Sequence, residues 1–392
     1  MATTAERYRT YRGFTLFSLG FRPFFLFASA WAAIAVPIWI AAYAGLLPAE
    51  HFTRDWHAHE MVFGYLGGVI AGFLLTAVPN WTGRLPVTGA SLASLFSLWA
   101  AGRIAMLTPS LGVIAAFIDS AFLFVLAGVI AREVIAGKNV RNLPVCVLVT
   151  ILGLANALWH AGALGELTLL AERIALGVVA VLVTLIGGRI VPSFTRNWMA
   201  KRRITPEPAP NSRFDAATLA LTGVALASWI AAPHSAYAGA ALTAAGALNV
   251  ARLLRWRGWT TGAEPLVLVL HAGYAWLALA LILLGGALLA PTLVPNAAGV
   301  HALTAGAFGV MTLAVMTRAS LGHTGRPLTA TPPISAIYVL ANLGAAVRVV
   351  SPFFPGAYVP LLALSAALWS GAFVLFVIIY APLLMRPRPG AA

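Results

Sequence analysis

Residues 56–84 read WHAHEMVFGYLGGVIAGFLLTAVPNWTGR. The run from Met61 to Val78 is long and apolar enough for a bilayer-spanning helix, which needs about 20 predominantly apolar residues. Histidine and glutamate stand at one end, His57, His59 and Glu60, and arginine at the other, Arg84. Glu60, Gly64, Gly68, Gly72 and Thr76 recur every four residues, with His57 just above them. A row of small residues lets a neighbouring helix, or a flat macrocycle, approach closely.

Outward from this stretch the same pattern repeats. Apolar runs centre on Leu26–Tyr43, Met61–Val78, Leu92–Met106, Leu111–Ile130, Pro144–His160, Ile174–Pro192, Ala217–Ala232, Ala236–Ala251, Leu266–Leu289, Val300–Thr317, Ala336–Val350 and Val359–Leu383. The expectation is an all-α polytopic membrane protein with twelve transmembrane helices in a single membrane domain, residues 1–392. The longest polar link is Arg196–Asp215, and Pro206, Pro208 and Pro210 mark it as a loop.

Composition agrees. The 392 residues are 60% hydrophobic and 9% charged, with a mean hydropathy of +0.89. A soluble globule carries about 25% charged residues, and a disordered chain is far less apolar. One cysteine, Cys146, excludes a disulfide scaffold. The net charge of +14 would suggest nucleic acid in a soluble domain. On twelve helices with a cytoplasmic N-terminus, only Arg54, Arg103, Arg173 and Arg348 fall on the outer half. The other 21 of the 25 basic residues lie inside. That is the positive-inside pattern, with both termini cytoplasmic, and no nucleic-acid partner is needed. The first apolar run is longer than a signal-peptide core of about 7–15 residues, so it reads as a retained helix.

Ionisable residues within spans are costly and tend to be functional. His57, His59 and Glu60 lie at the outer start of helix 2, His160 at the outer end of helix 5 and His301 at the outer start of helix 10. Asp119 lies inside helix 4, where it and Glu60 are candidate proton-active groups. His271 lies early in helix 9, toward the cytoplasm; His51, His234 and His323 read as loop residues. Four histidines at one depth suit haem iron or copper better than calcium or magnesium. The bland alternative is that each caps a helix end. His57 and His59 are two residues apart, so a regular helix cannot aim both at one centre. Asp55 is the expected N-cap. His-Ala-His-Glu is not the His-Glu-x-x-His of zinc proteases. His271 reads either as a core histidine or as a ligand at a second, inner site.

Helices 2, 6 and 10 resemble one another. Gly64 lies five residues after His59, Gly177 five after Glu172 and Gly306 five after His301. A pseudo-threefold arrangement of four-helix units, about 14–135, 136–260 and 261–385, would follow. The inner ends of these helices gather Arg22, Arg84, Arg189, Arg196, Arg318 and Arg326. Arg22, Arg189 and Arg318 stand flush against apolar sequence, where arginine costs about 2.5–3.5 kcal/mol on insertion scales. Haem propionates, lipid headgroups or an anionic substrate would offset that cost.

The runs GFRPFFLFAS (20–29), WHAHEMVFGYLGGVIAGFLLTAVPNWTGR (56–84), HAGYAW (271–276) and HALTAGAFGVMTLAVMTRASLGHTGR (301–326) resemble the NnrS family. The resemblance implies a twelve-helix bacterial inner-membrane protein containing haem, expected to be b-type, and copper, associated with nitric oxide and denitrification. The arrangement is also similar to the catalytic subunit of haem–copper oxidases, with its three four-helix arcs. Here, however, helix 6 carries Glu172 and Arg173 in place of histidine, and helix 7 lacks paired histidines.

These readings lead to a haem- and copper-binding protein of the nitric oxide and nitrosative-stress response. His59 and His301 would be axial haem ligands, and His57 and His160 ligands of copper or a second haem. Its partners would be membrane lipids and a small ligand such as nitric oxide. The electron donor, and whether nitric oxide is turned over, stay open. A transporter or channel, and a non-catalytic haem-binding sensor or assembly factor, are the alternatives.

Overall fold

The computed structural model describes residues 11, 13–162 and 165–388. The N-terminal segment used in the charge reading, residues 1–10 and 12, lies outside the described residues, as do 389–392. Among the described residues all regular structure is helical. The long helices are α1 (Phe21–Tyr43), α2 (Arg54–Thr82), α3 (Gly89–Met106), α4 (Val113–Ala136), α5 (Leu143–Ala161), α6 (Glu166–Arg202), α7 (Arg213–Ala231), α8 (Ala236–Leu254), α9 (Pro265–Leu289), α10 (Asn296–His323), α11 (Pro332–Val350) and α12 (Tyr358–Met385). Ten are long and apolar enough to cross a membrane; α3 and α8 are the exceptions. The protein is a multi-pass membrane protein. Its exposed side chains on these helices include Ile104, Phe117, Val224 and Ile378, which suit contact with lipid tails.

The chain divides into two compact units. One comprises Met1–Val178, Ala319–Pro327 and Phe376–Ala392, the other Val179–Arg318 and Leu328–Leu375. In the first unit the small-residue row of α2 is filled by helix packing. A methyl group at Gly68 would meet Ala28 Cβ and the Trp99 indole at 3.0–3.2 Å, and one at Gly72 would meet Phe25 and Phe24 at 2.8–3.0 Å. Phe24, Phe96, Trp99 and Phe122 close this core with edge and tilted ring contacts. In the second unit α8 and α9 pack backbone to backbone, so that a methyl at Gly246 would stand 2.9 Å from the Ala278 carbonyl.

Two helices depart from α geometry. In α2 the segment Glu60–Leu66 is π-helical, and in α10 the segment Ala302–Phe308 is too. Each begins at the residue after a histidine, His59 and His301. Each also has a carbonyl reached by a tryptophan from another helix. Trp99 Nε1 donates to Gly64 O at 2.9 Å, and Trp369 Nε1 donates to Ala305 O at 3.2 Å. A π segment widens the helix locally, and such segments are frequent at functional sites. At its other end α2 stops at Gly83, which takes the left-handed conformation (φ 68°) that helix C-termini favour.

The N-cap of α2 is Thr53, not the expected Asp55. Thr53 is extended, and its hydroxyl accepts from Trp56 N at 3.1 Å, while Asp55 falls within the first turn. His323 is the last residue of α10 rather than a loop residue, and its ring lies 5.5 Å from that of Phe21.

Candidate metal centre

Successive helices of the first unit supply one polar cluster. The start of α2 contributes His59 and Glu60, the end of α3 Arg103, the early part of α4 Asp119 and the end of α5 Asn156 and His160. Short connections between α2, α3, α4 and α5 make neighbours antiparallel, which brings these alternating ends to one level. His59 and Glu60 are fully buried, Asp119 and Asn156 are 1% exposed and Arg103 is 5% exposed.

The hydrogen bonds form one network. His59 Nδ1 lies 2.9 Å from Glu60 Oε1. His59 Nε2 lies 2.9 Å from Asn156 Oδ1 and 3.1 Å from Asp119 Oδ2. His160 Nε2 reaches the same Asp119 oxygen at 3.0 Å, and Asn156 Nδ2 donates to it at 2.8 Å. Arg103 spans the two acids, with Nη1 donating to Glu60 Oε2 at 2.5 Å and Nη2 to Asp119 Oδ1. The Trp159 indole packs on His59, ring centroids 4.3 Å apart, and edge-on to His160 at 5.2 Å.

Glycines make the room. A methyl at Gly64 would strike the Arg103 guanidinium and stand 2.9 Å from Glu60 Oε2; one at Gly102 would stand 3.1 Å from Asp119 Oδ1. Gly64 lies inside the π segment, whose wider turn carries Glu60 to the guanidinium. A buried ion pair is tolerated only where the remaining lone pairs and protons are met, and here both acids have partners on each oxygen.

One nitrogen each from His59 and His160 and one oxygen from Asp119 lie within 4.8 Å of one another, a grouping able to hold a metal ion. Two imidazoles and a carboxylate suit copper or zinc better than calcium or magnesium. The remaining contacts resemble an outer shell: Glu60 holds the other nitrogen of His59, as a carboxylate behind a ligating histidine does, and Arg103 holds the other oxygen of Asp119.

The structure thus brings together His59, His160, Asp119 and Glu60. His57 stacks on Trp39 instead, ring centroids 4.3 Å apart and planes at 17°. His301 belongs to the second unit, and its Nδ1–H donates to Ala297 O at 2.8 Å. His271, also in the second unit, is buried, with Nε2 2.8 Å from Thr195 Oγ1. Thr195 donates its own hydrogen to Val191 O, so His271 is the donor in that contact.

The arginines are scattered in role. Arg22 is fully buried, and its Nη1 donates to the carbonyls of Leu384 at 2.7 Å and Arg386 at 2.9 Å, at the C-terminus of α12. That helix end supplies negative partial charge. Arg84 pairs with Glu133 at 2.5 Å, Arg196 with Glu207 at 3.7 Å, and Arg318 lies over the Phe194 ring at 4.2 Å. Arg189 is exposed, and Arg326 is partly buried.

Sequence reasoning missed Arg103 and Asn156 as members of the cluster. For Arg103 a signal existed: it is one of four basic residues on the wrong side of the charge rule. A second exception, Arg54, likewise has acid partners, binding Glu172 with both nitrogens at 2.7 and 2.6 Å. Asn156 gave no signal, because an amide in an apolar helix is not anomalous.

No curated protein gives a significant match to the chain. A family model described as NnrS protein matches residues 15–388, and the chain belongs to the NnrS family.

Proposed function

We propose that this is a haem- and copper-binding protein of the bacterial inner membrane that acts in the nitric oxide response, with copper at His59, His160 and Asp119. The observation that carries the reading is the convergence of two imidazole nitrogens and one carboxylate oxygen inside a buried network. Copper held there supplies one-electron chemistry and a binding position for a small diatomic ligand. Glu60 orients His59, Arg103 and Asn156 orient Asp119, and Trp159 covers both imidazoles.

His59 is assigned to copper rather than to haem, because both its nitrogens already face this network. His301 is the proposed haem ligand. Its Nδ1–H bond to Ala297 O fixes the ring and the tautomer in which Nε2 carries the lone pair, the arrangement typical of ligating histidines. His57, stacked on Trp39, is a candidate second haem or copper ligand. His271 is read as a core histidine. All twelve long helices are proposed to cross the membrane, with both termini cytoplasmic and the copper cluster near the outer face. The paired π segments of α2 and α10 support descent of these two helices from one repeat.

The test is metal analysis and a reduced-minus-oxidised spectrum of the purified protein. His59→Ala and His160→Ala should lose copper and keep haem, and His301→Ala should lose haem. Wild-type protein with neither cofactor would refute the reading and favour transport.

A further inference from the structure

The cluster carries a charge imbalance that its ligand set does not reveal. Glu60 and Asp119 bring two negative charges. Arg103 brings one positive charge and touches both acids. With neutral imidazoles the assembly keeps one net negative charge, on side chains no more than 6% exposed. The neighbouring charges do not correct it. Asp55 and Glu172 are matched by Arg54, which binds both, and by Arg173, the residue next to Glu172. Asn156 and Trp159 are neutral. Net charge within a low-dielectric interior is strongly disfavoured. One added positive charge balances the cluster, and two overshoot it.

We propose that the cluster is built for a singly charged cation, so that it holds Cu(I) in preference to Cu(II) or Zn(II), and that Arg103 sets this preference. The inference rests on the assignment of copper to His59, His160 and Asp119. Imidazole pairs suit Cu(I) as well as Cu(II), so the donor atoms alone do not choose between them. Charge does. Arg103 is not a ligand. It binds Asp119 Oδ1, while the oxygen shared with the histidines is Oδ2. Its charge therefore acts on the site without occupying the coordinating atom. The backbone is shaped for it, since a side chain at Gly64 would displace the guanidinium.

The test uses the full-length protein in detergent, stripped of metal and titrated anaerobically with chelator-buffered Cu(I) and, separately, with Zn(II). The variants are R103Q, R103K, E60Q and the double variant E60Q/R103Q, each checked for monodisperse elution. The side-chain charge is −1 in wild type and R103K, −2 in R103Q, 0 in E60Q and −1 again in the double variant, by formal charge at neutral pH. One unit charge a few ångströms away, at an effective dielectric of about 20, is worth about a hundredfold in affinity. The ratio of Cu(I) to Zn(II) affinity should therefore fall about a hundredfold in R103Q and stay near wild type in R103K. E60Q should bind both ions weakly, and the double variant should recover Cu(I) preference. If R103Q does not fold, the comparison of E60Q with the double variant decides. A ratio that ignores these charge changes, or a wild-type preference for Zn(II), overturns the inference and leaves the copper assignment standing. Wild-type protein that takes up neither ion overturns the assignment itself.

Discussion

Replacing Gly64 with alanine separates two effects of opposite sign. Alanine is favoured over glycine inside a helix by about 1 kcal/mol, so propensity alone predicts a more stable protein. At Gly64 the added methyl would overlap the Arg103 guanidinium and crowd Glu60 Oε2 at 2.9 Å. Overpacking costs about 1–3 kcal/mol, and breaking a buried ion pair about 3–5 kcal/mol. Arg103 has nowhere to retreat without losing Glu60 or Asp119, so the loss outweighs the gain by about 2–4 kcal/mol. Gly128, Gly223 and Gly371 provide the control, since a methyl there meets nothing within 4 Å. Thermal unfolding in detergent should show Gly64→Ala clearly destabilised and Gly128→Ala unchanged or improved. Copper content should fall in the first variant only. Equal melting temperatures for the two variants would refute the claim that Gly64 is there to seat Arg103.

Two further outcomes follow from single contacts. Arg22→Met should lower the melting temperature by freeing the last carbonyls of α12, at about 1.5–3 kcal/mol for a hydrogen bond to a charged group, while haem and copper content stay at wild-type levels. Trp99→Phe should cost about 1 kcal/mol by removing the indole bond to Gly64 O, and hydrogen exchange should then rise first in residues 60–66.

The fold was largely legible because hydrophobic length and charge asymmetry are linear signals. The twelve apolar runs correspond to α1–α12, though α3 and α8 are less apolar than the others. Ser91, Ser94 and Ser97 dilute α3, and Asn249 and Arg252 interrupt α8, where they bond inward to Thr222 and Asp215. The candidate site was half legible. His59, Glu60, Asp119 and His160 stand out because ionisable groups are rare in spans. Their grouping did not, because it depends on which helices are neighbours. Pairing His59 with His301 came from matching positions along two helices, and such matching carries no information about the three-dimensional partners of His59. The small-residue row was read correctly as a packing surface, but Gly64 has a different task from Gly68 and Gly72: it leaves space for a charge. The inner arginines looked like one cluster since they share a depth, whereas Arg22 caps a helix end and Arg84 pairs with Glu133.

The π-helical segments of α2 and α10 have a consequence for reading such helices at all. A π turn accommodates an extra residue within an α-helix, and one residue is about 100° of rotation. The histidine end and the glycine end of α2 thus share an axis but not a phase. A single helical wheel drawn through Trp56–Arg84 places His59 on the wrong face. Deleting one residue between Met61 and Leu66 would restore the phase, and it would turn His59 away from Asn156 and Asp119 while the packing of Gly68 and Gly72 stayed in place. The ligand end and the packing end can therefore change independently, joined by a segment that acts as an angular joint.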